Sequence, residues 1–199
     1  MPLSSVTQQF EKCANDRLHQ GDIFRDLSLS STEYTGNDKK ELTLTEYPLA
    51  YCVLITQDCD LEQDAKNRAD HASQSQDKYL RSLLVLPAYV AEQLRDGNHI
   101  KDDDSNDQRT IQHIPTDKWK LITSNQSFRY HFLSGDEGLQ IPNLVLDFKH
   151  YVTVSRAQLY QQAGDKYIGT INTLFRENLS NRFAHYLSRI GLPELSSQE

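Results

Sequence analysis

The sequence predicts an α+β, barrel-like domain in which short strands pack against one long helix. Segments with the two-residue period of strands outnumber those with a helical period. The clearest helical pattern lies near the end of the chain, where apolar residues recur every three or four positions between Leu174 and Ile190. A length of 199 residues favours a single domain, 1–199, with a polar insertion at about 62–118.

The first third of the chain predicts three strands. Asp22 opens the first strand directly after Gly21, and Glu41–Thr45 alternates apolar with polar residues. Leu49–Thr56 is an apolar run that follows Pro48, and runs of this length are typical of strands buried on both faces. We expect it to be the central strand of the barrel.

The predicted insertion is mixed in character. Glu62–Lys78 has almost no large apolar residue and is either a solvated helix or a loop. Leu80–Leu86 predicts another buried strand that is stopped by Pro87, and Tyr89–Leu94 predicts a short helix. The acidic run at 101–107 predicts an exposed loop.

Three elements follow the insertion. In Phe128–Leu133 the aromatic residues alternate with Arg129 and His131, which predicts a strand with an aromatic face and a polar face. Leu144–Val154 predicts one long strand. The closing amphipathic helix is expected to end at Gly191, since glycine is the common C-terminal cap.

Composition restricts the classes of function. The chain has 21 basic and 28 acidic residues, a net charge of -7, which disfavours nucleic-acid binding without excluding a local basic groove. Its three cysteines, Cys13, Cys52 and Cys59, form no C-x-x-C pair, so we expect reduced thiols in a cytoplasmic protein. No apolar stretch approaches the ~20 residues that span a membrane.

The turn Asp58-Cys59-Asp60 is the strongest candidate site in the sequence. Carboxylates on both sides disfavour the thiolate form, which argues against a nucleophilic Cys59. Asp60 and Gln63 have the spacing of a helix capping box, which gives the turn a structural interpretation. The turn can also bind a ligand or a partner. Three roles therefore stay open, with a structural role favoured over binding and binding favoured over catalysis.

Other candidates carry positive charge. Arg129 and His131 on one strand face can bind a phosphate and transfer a proton.

Cys59, His131 and Asp147 occur in the order of a catalytic triad, although spacing alone permits many such sets. The closing helix carries a polar stripe that is either a solvated face or a site for an anion, an acidic partner or nucleic acid: Asn178, Arg182, His185 and Arg189.

Several motifs follow the order found in the MazF/PemK-like toxin family. They are an opening glycine-aspartate strand at Gln20–Phe24, a proline-led apolar strand at Pro48–Thr56, a threonine-containing strand at Leu121–Ser124, and the tail from Leu146 to Thr170 before a final helix. The chain therefore resembles this family over part of its length. The resemblance implies a small SH3-like barrel and, in active toxins, a dimeric, metal-independent endoribonuclease.

The resemblance also suggests site residues. It makes Thr123 a catalytic candidate, and we take Asp22 and Arg25 of the opening strand as binding candidates, together with Arg182 and Arg189 of the last helix.

We expect a non-enzymatic binding or regulatory module of a bacterial or phage system, of the toxin–antitoxin or defence type, that binds a protein partner or a second copy of itself. The alternative is a metal-independent endoribonuclease that uses Thr123, Arg129 and His131. The acidic charge, the insertion and Tyr47, which stands where the family has an arginine, favour the module. No residue pattern calls for a metal or a cofactor.

Overall fold

In the computed structural model, the chain forms one large antiparallel sheet with helices packed on both of its faces. The structure describes residues 8–13, 16–35, 41–72, 75–100 and 112–189. In chain order, the elements are β1 Phe10–Glu11, β2 Asp22–Thr35, β3 Glu41–Leu54, α1 Asp58–Ala69, β4 Ser82–Val90, α2 Ala91–Arg95, α3 Thr116–Thr123, β5 Tyr130–Leu133, β6 Leu144–Asp147, a 3₁₀ turn Phe148–His150, β7 Val152–Ser155, α4 Arg156–Lys166, β8 Tyr167–Ile171 and α5 Thr173–Leu187.

The strand order is β1-β8-β2-β3-β4-β6-β5, and β7 pairs with the first half of β4. This confirms the α+β class. The sheet is open, because β1 and β5 form its two edges and no strand pairing joins them in the described part of the chain. Gln9 before β1 nevertheless accepts a hydrogen bond from the backbone N–H of Ser134 after β5, at 2.9 Å. The edges therefore curl toward each other, while a closed SH3-like barrel stays a prediction.

The central strands are buried on both faces. Ile23, Val53 and Leu86 face a core that is covered by α5. Their neighbours Phe24 and Leu54 face a second core that is covered by α1 and α4. Burial on both faces explains the uninterrupted apolar run at the end of β3, since a half-exposed strand would alternate.

The two strands predicted at Glu41–Thr45 and Leu49–Thr56 are one continuous strand, β3. Pro48 lies inside it, opposite Ser28 of β2. The N–H of Ser28 donates to Gln162 of α4 rather than to β3, so this pair exchanges no ladder hydrogen bonds. The missing N–H of Pro48 therefore costs the β2–β3 ladder nothing.

The prediction that Pro87 stops the next strand is also wrong. β4 continues from Ser82 through Pro87 to Val90. Pro87 lies opposite Cys52 of β3, and β4 pairs with β6 only from Ala88 onward. Because β4 also pairs with β3 and β7, the stretch 62–118 contributes a central strand of the sheet.

Two further strand predictions fail. Leu144–Val154 is split by the 3₁₀ turn, because Asp147 caps the turn by accepting a hydrogen bond from the N–H of Lys149 at 3.0 Å. Leu121–Ser124 belongs to α3 and its C-terminal cap, so Thr123 lies on a helix and not on a strand.

The helices agree better with the sequence. Glu62–Lys78 contains most of α1, which resolves the choice between helix and loop for its first half. The closing helix is confirmed as α5, capped by the Asn172 side chain.

Gly191, the predicted cap of that helix, and the acidic run at 101–107 lie outside the described residues. Within the described ranges, no helix is long and apolar enough to cross a membrane.

Phe148 and Phe128 give a matched pair for testing the core. Phe148 is fully buried and contacts the rings of Phe183 and Tyr186, whereas Phe128 is 68% exposed. We expect Phe148→Ala to lower the free energy of unfolding by about 3–5 kcal/mol, because it leaves a cavity in the α5-covered core. Phe128→Ala should leave it nearly unchanged. Urea denaturation measures both, and equal losses would contradict the assignment of the core.

Candidate functional site

Asp58 fixes the start of α1. Arg17 donates to both of its carboxylate oxygens, at 3.1 and 2.9 Å, and the N–H of Gln20 donates to Oδ1 at 3.2 Å. Partial burial raises the pKa of Asp58, but these partners outweigh that effect and hold it below the ordinary value. Asp58 therefore joins the segment before β2 to the helix after β3, and this supports the structural interpretation of the turn.

Cys59 and Asp60 follow Asp58 in the first turn of α1. Cys59 is exposed, and its Sγ lies 3.8 Å from Oδ1 of Asp60. The helix begins at Asp58 with Gln57 as its cap, so the prediction that Asp60 caps it is wrong. Asp60 instead lines a hollow of about 370 Å³ between the end of β3 and α5, near Ser180.

Asp22 and Arg25, both predicted to bind a ligand, have partners within the fold. Asp22 is 1% exposed and accepts hydrogen bonds from the Thr170 hydroxyl and, at 2.7 Å, from the N–H of His19. Burial raises the pKa of Asp22 to about 6. Arg25 donates to the carbonyl of Gln140 at 2.7 Å and lies over the ring of Tyr51.

His131 points into the core, because β5 is covered on both faces. It is 2% exposed, and its Nδ1 accepts a hydrogen bond from Nε of Arg182 at 3.0 Å. Burial, helped by the charge of Arg182, lowers the pKa of His131 to about 3. His131 is therefore buried against Arg182 while Arg129 pairs with Asp147, so the structure does not bring the two side chains together on one accessible face.

Arg182 serves as a clamp between α5 and the loop from α3 to β5. Besides His131, it donates to the backbone carbonyls of Asn125, Ser127 and Tyr130. No carboxylate accepts from its guanidinium within the described part of the chain. The predicted polar stripe on α5 is therefore broken, since Arg182 points inward while Arg189 lies over Tyr186 at the surface.

Arg129 belongs to a different cluster, around the buried Asp147. Its Nε donates to Asp147 at 2.8 Å, and His150 lies 3.5 Å from the same carboxylate. Nδ1 of His150 is 3.0 Å from the Tyr89 hydroxyl, and the Tyr89 ring meets the His99 ring edge-on. Burial lowers the pKa of both histidines, so their imidazoles are neutral at neutral pH.

The remaining catalytic candidates do not join this cluster. The Thr123 hydroxyl donates to the carbonyl of Trp119 in its own helix, at 3.2 Å. The triad of Cys59, His131 and Asp147 is not formed, because His131 is bound to Arg182 and Asp147 to Arg129. Within the described ranges, no three His, Cys, Asp or Glu side chains are grouped so that they could hold a metal ion.

The structure also shows an apolar groove beside α3 that the sequence did not indicate. Its larger hollow has a volume of about 660 Å³, and the adjoining one about 210 Å³. Phe128 forms part of both hollows and stacks on the ring of His185, with the ring centres 5.8 Å apart. We call the two hollows together the Phe128 groove. They are lined mainly by Ile114, Lys118, Leu121, Ile122, Ser127, Phe128, Arg129, Tyr130, Arg182 and His185.

One signal in the sequence could have led to this groove. Phe128 was assigned to a strand face with Tyr130 and Phe132, but β5 begins only at Tyr130. The serine, asparagine and glutamine residues just before Phe128 are typical of a loop, and a large aromatic residue in a loop is a common feature of binding surfaces.

Comparisons with known proteins give no further guidance. Neither a scan against protein-family models nor a search of the curated proteins finds a match for this chain. The resemblance to the MazF/PemK-like family therefore stays a prediction.

The Arg182 clamp can be tested by its contribution to stability. Arg182→Gln removes donors from three backbone carbonyls and from the buried His131, and we expect it to lower the free energy of unfolding by about 3 kcal/mol. Arg189→Gln, at the surface of the same segment, should cause no measurable change. If the two variants unfold at the same urea concentration as the parent protein, the clamp is not structural.

The environment of His131 predicts a dependence of stability on pH. Its pKa in the folded state lies well below the ordinary value of 6.5, so below that pH the unfolded chain binds a proton that the folded chain does not. The contribution of His131 to the free energy of unfolding should therefore fall as pH is lowered from 6.5 towards 3, whereas that of Asp22, whose pKa is raised, changes in the opposite direction. His131→Asn, whose side-chain oxygen can accept from Arg182, should reduce this slope. An unchanged slope in urea titrations would contradict the buried, neutral histidine.

Proposed function

We propose that this protein is a non-enzymatic binding module that binds an acidic, apolar-containing segment of a protein partner in the Phe128 groove. The proposal rests mainly on the exposed apolar side chains of that groove. Phe128 and Leu121 are 68% and 47% exposed beside a hollow large enough for several side chains.

The charge of the groove suggests the chemistry of the partner. The chain carries a net charge of -7, yet no Asp or Glu lines either hollow among the described residues. Arg182 lies beneath the smaller hollow, and its positive charge is bound to carbonyls and an imidazole rather than to a carboxylate. Lys118 adds a second cation to the larger hollow. An acidic segment is therefore complementary to the groove.

The apolar lining favours a protein segment over nucleic acid. Leu121, Phe128 and the half-buried Ile114 offer surface that an aliphatic side chain can cover, and burial of that surface contributes to binding. A nucleic-acid site of this size would normally carry a row of exposed basic residues to neutralise phosphates. Phe128 is an aromatic anchor of the kind that dominates binding energy at protein interfaces.

The proposal keeps the function expected from the sequence. If the chain is a MazF/PemK-like barrel of a bacterial toxin–antitoxin or defence system, the groove is the surface that would bind its regulator. A second copy of the chain is the other protein that could bind there. A monomer–dimer equilibrium measured by ultracentrifugation separates the second copy from another partner.

A pair of designed peptides tests the groove. A short peptide that alternates Glu and Leu should bind, and the same peptide with Lys in place of Glu should not, because only the first is complementary in charge. Phe128→Ala should weaken binding of the acidic peptide at least about tenfold in fluorescence polarisation, a loss typical of an aromatic anchor.

Phe175→Ala gives a control outside the groove. It should bind the acidic peptide as tightly as the parent protein does. The proposal fails if both peptides bind equally, if neither binds, or if the acidic peptide binds Phe128→Ala unchanged. Tighter binding of single-stranded RNA than of the acidic peptide would favour a nucleic-acid module instead.

The cluster around Asp147 favours a second candidate, the metal-independent endoribonuclease. Arg129 is 40% exposed in its side chain and carries the positive charge that a phosphate requires. His150 is neutral at neutral pH and its Nε2 can accept a proton from a ribose 2′-hydroxyl. In this version of the enzyme, Arg129 is kept, and His150 takes the place of Thr123 and His131.

Labelled RNA tests the second candidate. Cleavage by the parent protein that is lost in His150→Gln but kept in His71→Gln, an exposed histidine on another part of the surface, would support it. Absence of cleavage by the parent protein would remove it.

A further inference from the structure

Another depression, which shares no lining residue with the Phe128 groove, is lined by arginines. Arg68 of α1, Arg81 before β4 and Arg156 at the start of α4 line a pocket of about 440 Å³ together with Tyr79 and Ala157. We call it the arginine pocket. No Asp or Glu lines it among the described residues.

A buried carboxylate holds two of these arginines in place. Asp64 is 1% exposed and accepts hydrogen bonds from Nε of Arg68 at 2.8 Å, from Nε of Arg156, and from the N–H of Leu80 at 2.9 Å. An unpaired buried carboxylate would be strongly unfavourable, so this arrangement is specified by the fold. It links α1, the segment before β4 and α4.

Aromatic rings fix the planes of the same guanidinium groups. The Cζ of Arg68 lies 4.0 Å from the centre of the Tyr79 ring, and that of Arg156 lies 3.8 Å from the centre of the Tyr160 ring. Arg68 also donates to the carbonyl of Leu80 at 3.1 Å. Because both side chains are already ordered, a ligand would not have to immobilise them.

The pocket has an excess of positive charge. Three arginines line the pocket, and Asp64 pairs with two of them, so the charge of one carboxylate is set against three positive charges in this cluster. Asp64 engages Arg156 through Nε, and the Nη atoms of Arg156 make no hydrogen bond to any other described residue. Arg156 is also the first residue of α4, where the helix dipole adds a partial positive charge.

The geometry points to a binding site for a phosphate group carried by a small organic molecule. A planar guanidinium offers paired N–H donors that match two phosphate oxygens, which makes arginine the preferred residue for such recognition. The pocket volume falls in the range of small-molecule sites, so it has room for more than the phosphate. The site is separate from the Phe128 groove and does not depend on the function proposed for it.

Titration calorimetry with three probes tests this site: inorganic phosphate, AMP and adenosine. We expect AMP to bind, phosphate to bind more weakly, and adenosine not to bind. AMP no tighter than phosphate would indicate a site for the free anion and overturn the organic ligand. Adenosine binding as tightly as AMP, or no binding of AMP and phosphate, would overturn the phosphate site altogether.

Arg81 is the residue to vary, because it is exposed and takes no part in holding Asp64. Arg81→Gln should weaken binding of AMP at least about tenfold, and Arg81→Lys should restore part of the loss. Lys78→Gln removes the same charge from an exposed position outside the pocket and should leave binding unchanged. Equal effects of Arg81→Gln and Lys78→Gln would show only a general electrostatic attraction and contradict the site. Phe128→Ala should bind AMP normally, which keeps the result separate from that of the peptide groove.

Discussion

The burial of both faces of the central strands is the constraint on which the rest of this structure depends. Strands β2, β3 and β4 contribute side chains alternately to two cores, so each face requires a covering layer. Helix α5 covers one face, and α1 and α4 cover the other. Every polar group between these layers then needs a partner inside the protein, because water does not reach it.

Arginine supplies several of those partners. Asp58, Asp64 and Asp147 are each paired with at least one guanidinium, and each pair joins elements that are distant in sequence. Removing one member would leave a buried or half-buried charge without compensation. Arg182 differs from the arginines of these pairs, since no carboxylate accepts from it among the described residues and its positive charge lies at the smaller hollow of the Phe128 groove.

The sequence predicts well whatever depends on local pattern. The long helix α5 and the buried run at the end of β3 follow from the spacing of apolar residues, and both are present. The predictions failed where long-range pairing decides the outcome. Pro48 is accepted within a strand because it falls in a pair without ladder hydrogen bonds, and no local pattern reveals that register. The alternation of residues predicts His131 on a polar strand face with Arg129, but its partner, Arg182, lies on a helix far along the chain.

The candidate site was harder to predict than the fold, because it depends on contacts between residues that are far apart in the sequence. Charged residues that look available in the sequence, such as Arg25 and Asp22, are used for internal hydrogen bonds. The residues that line the arginine pocket come from three separate segments, and Asp64, which orders them, lies in a stretch that looks solvated. Only the tertiary arrangement distinguishes an arginine that holds the fold together from one that is left for a ligand.

Pro48 has a consequence for association between molecules. Beyond the end of β4, the outer edge of β3 has no neighbouring strand in the described part of the chain. Unpaired edges of this kind invite an additional strand from another chain, which leads to aggregation. Because the ladder hydrogen bonds to β2 do not involve Pro48, its nitrogen faces that open edge and offers no donor there. The uncovered part of β3 therefore carries a block against strand addition at Pro48, close to the point where pairing with β4 ends.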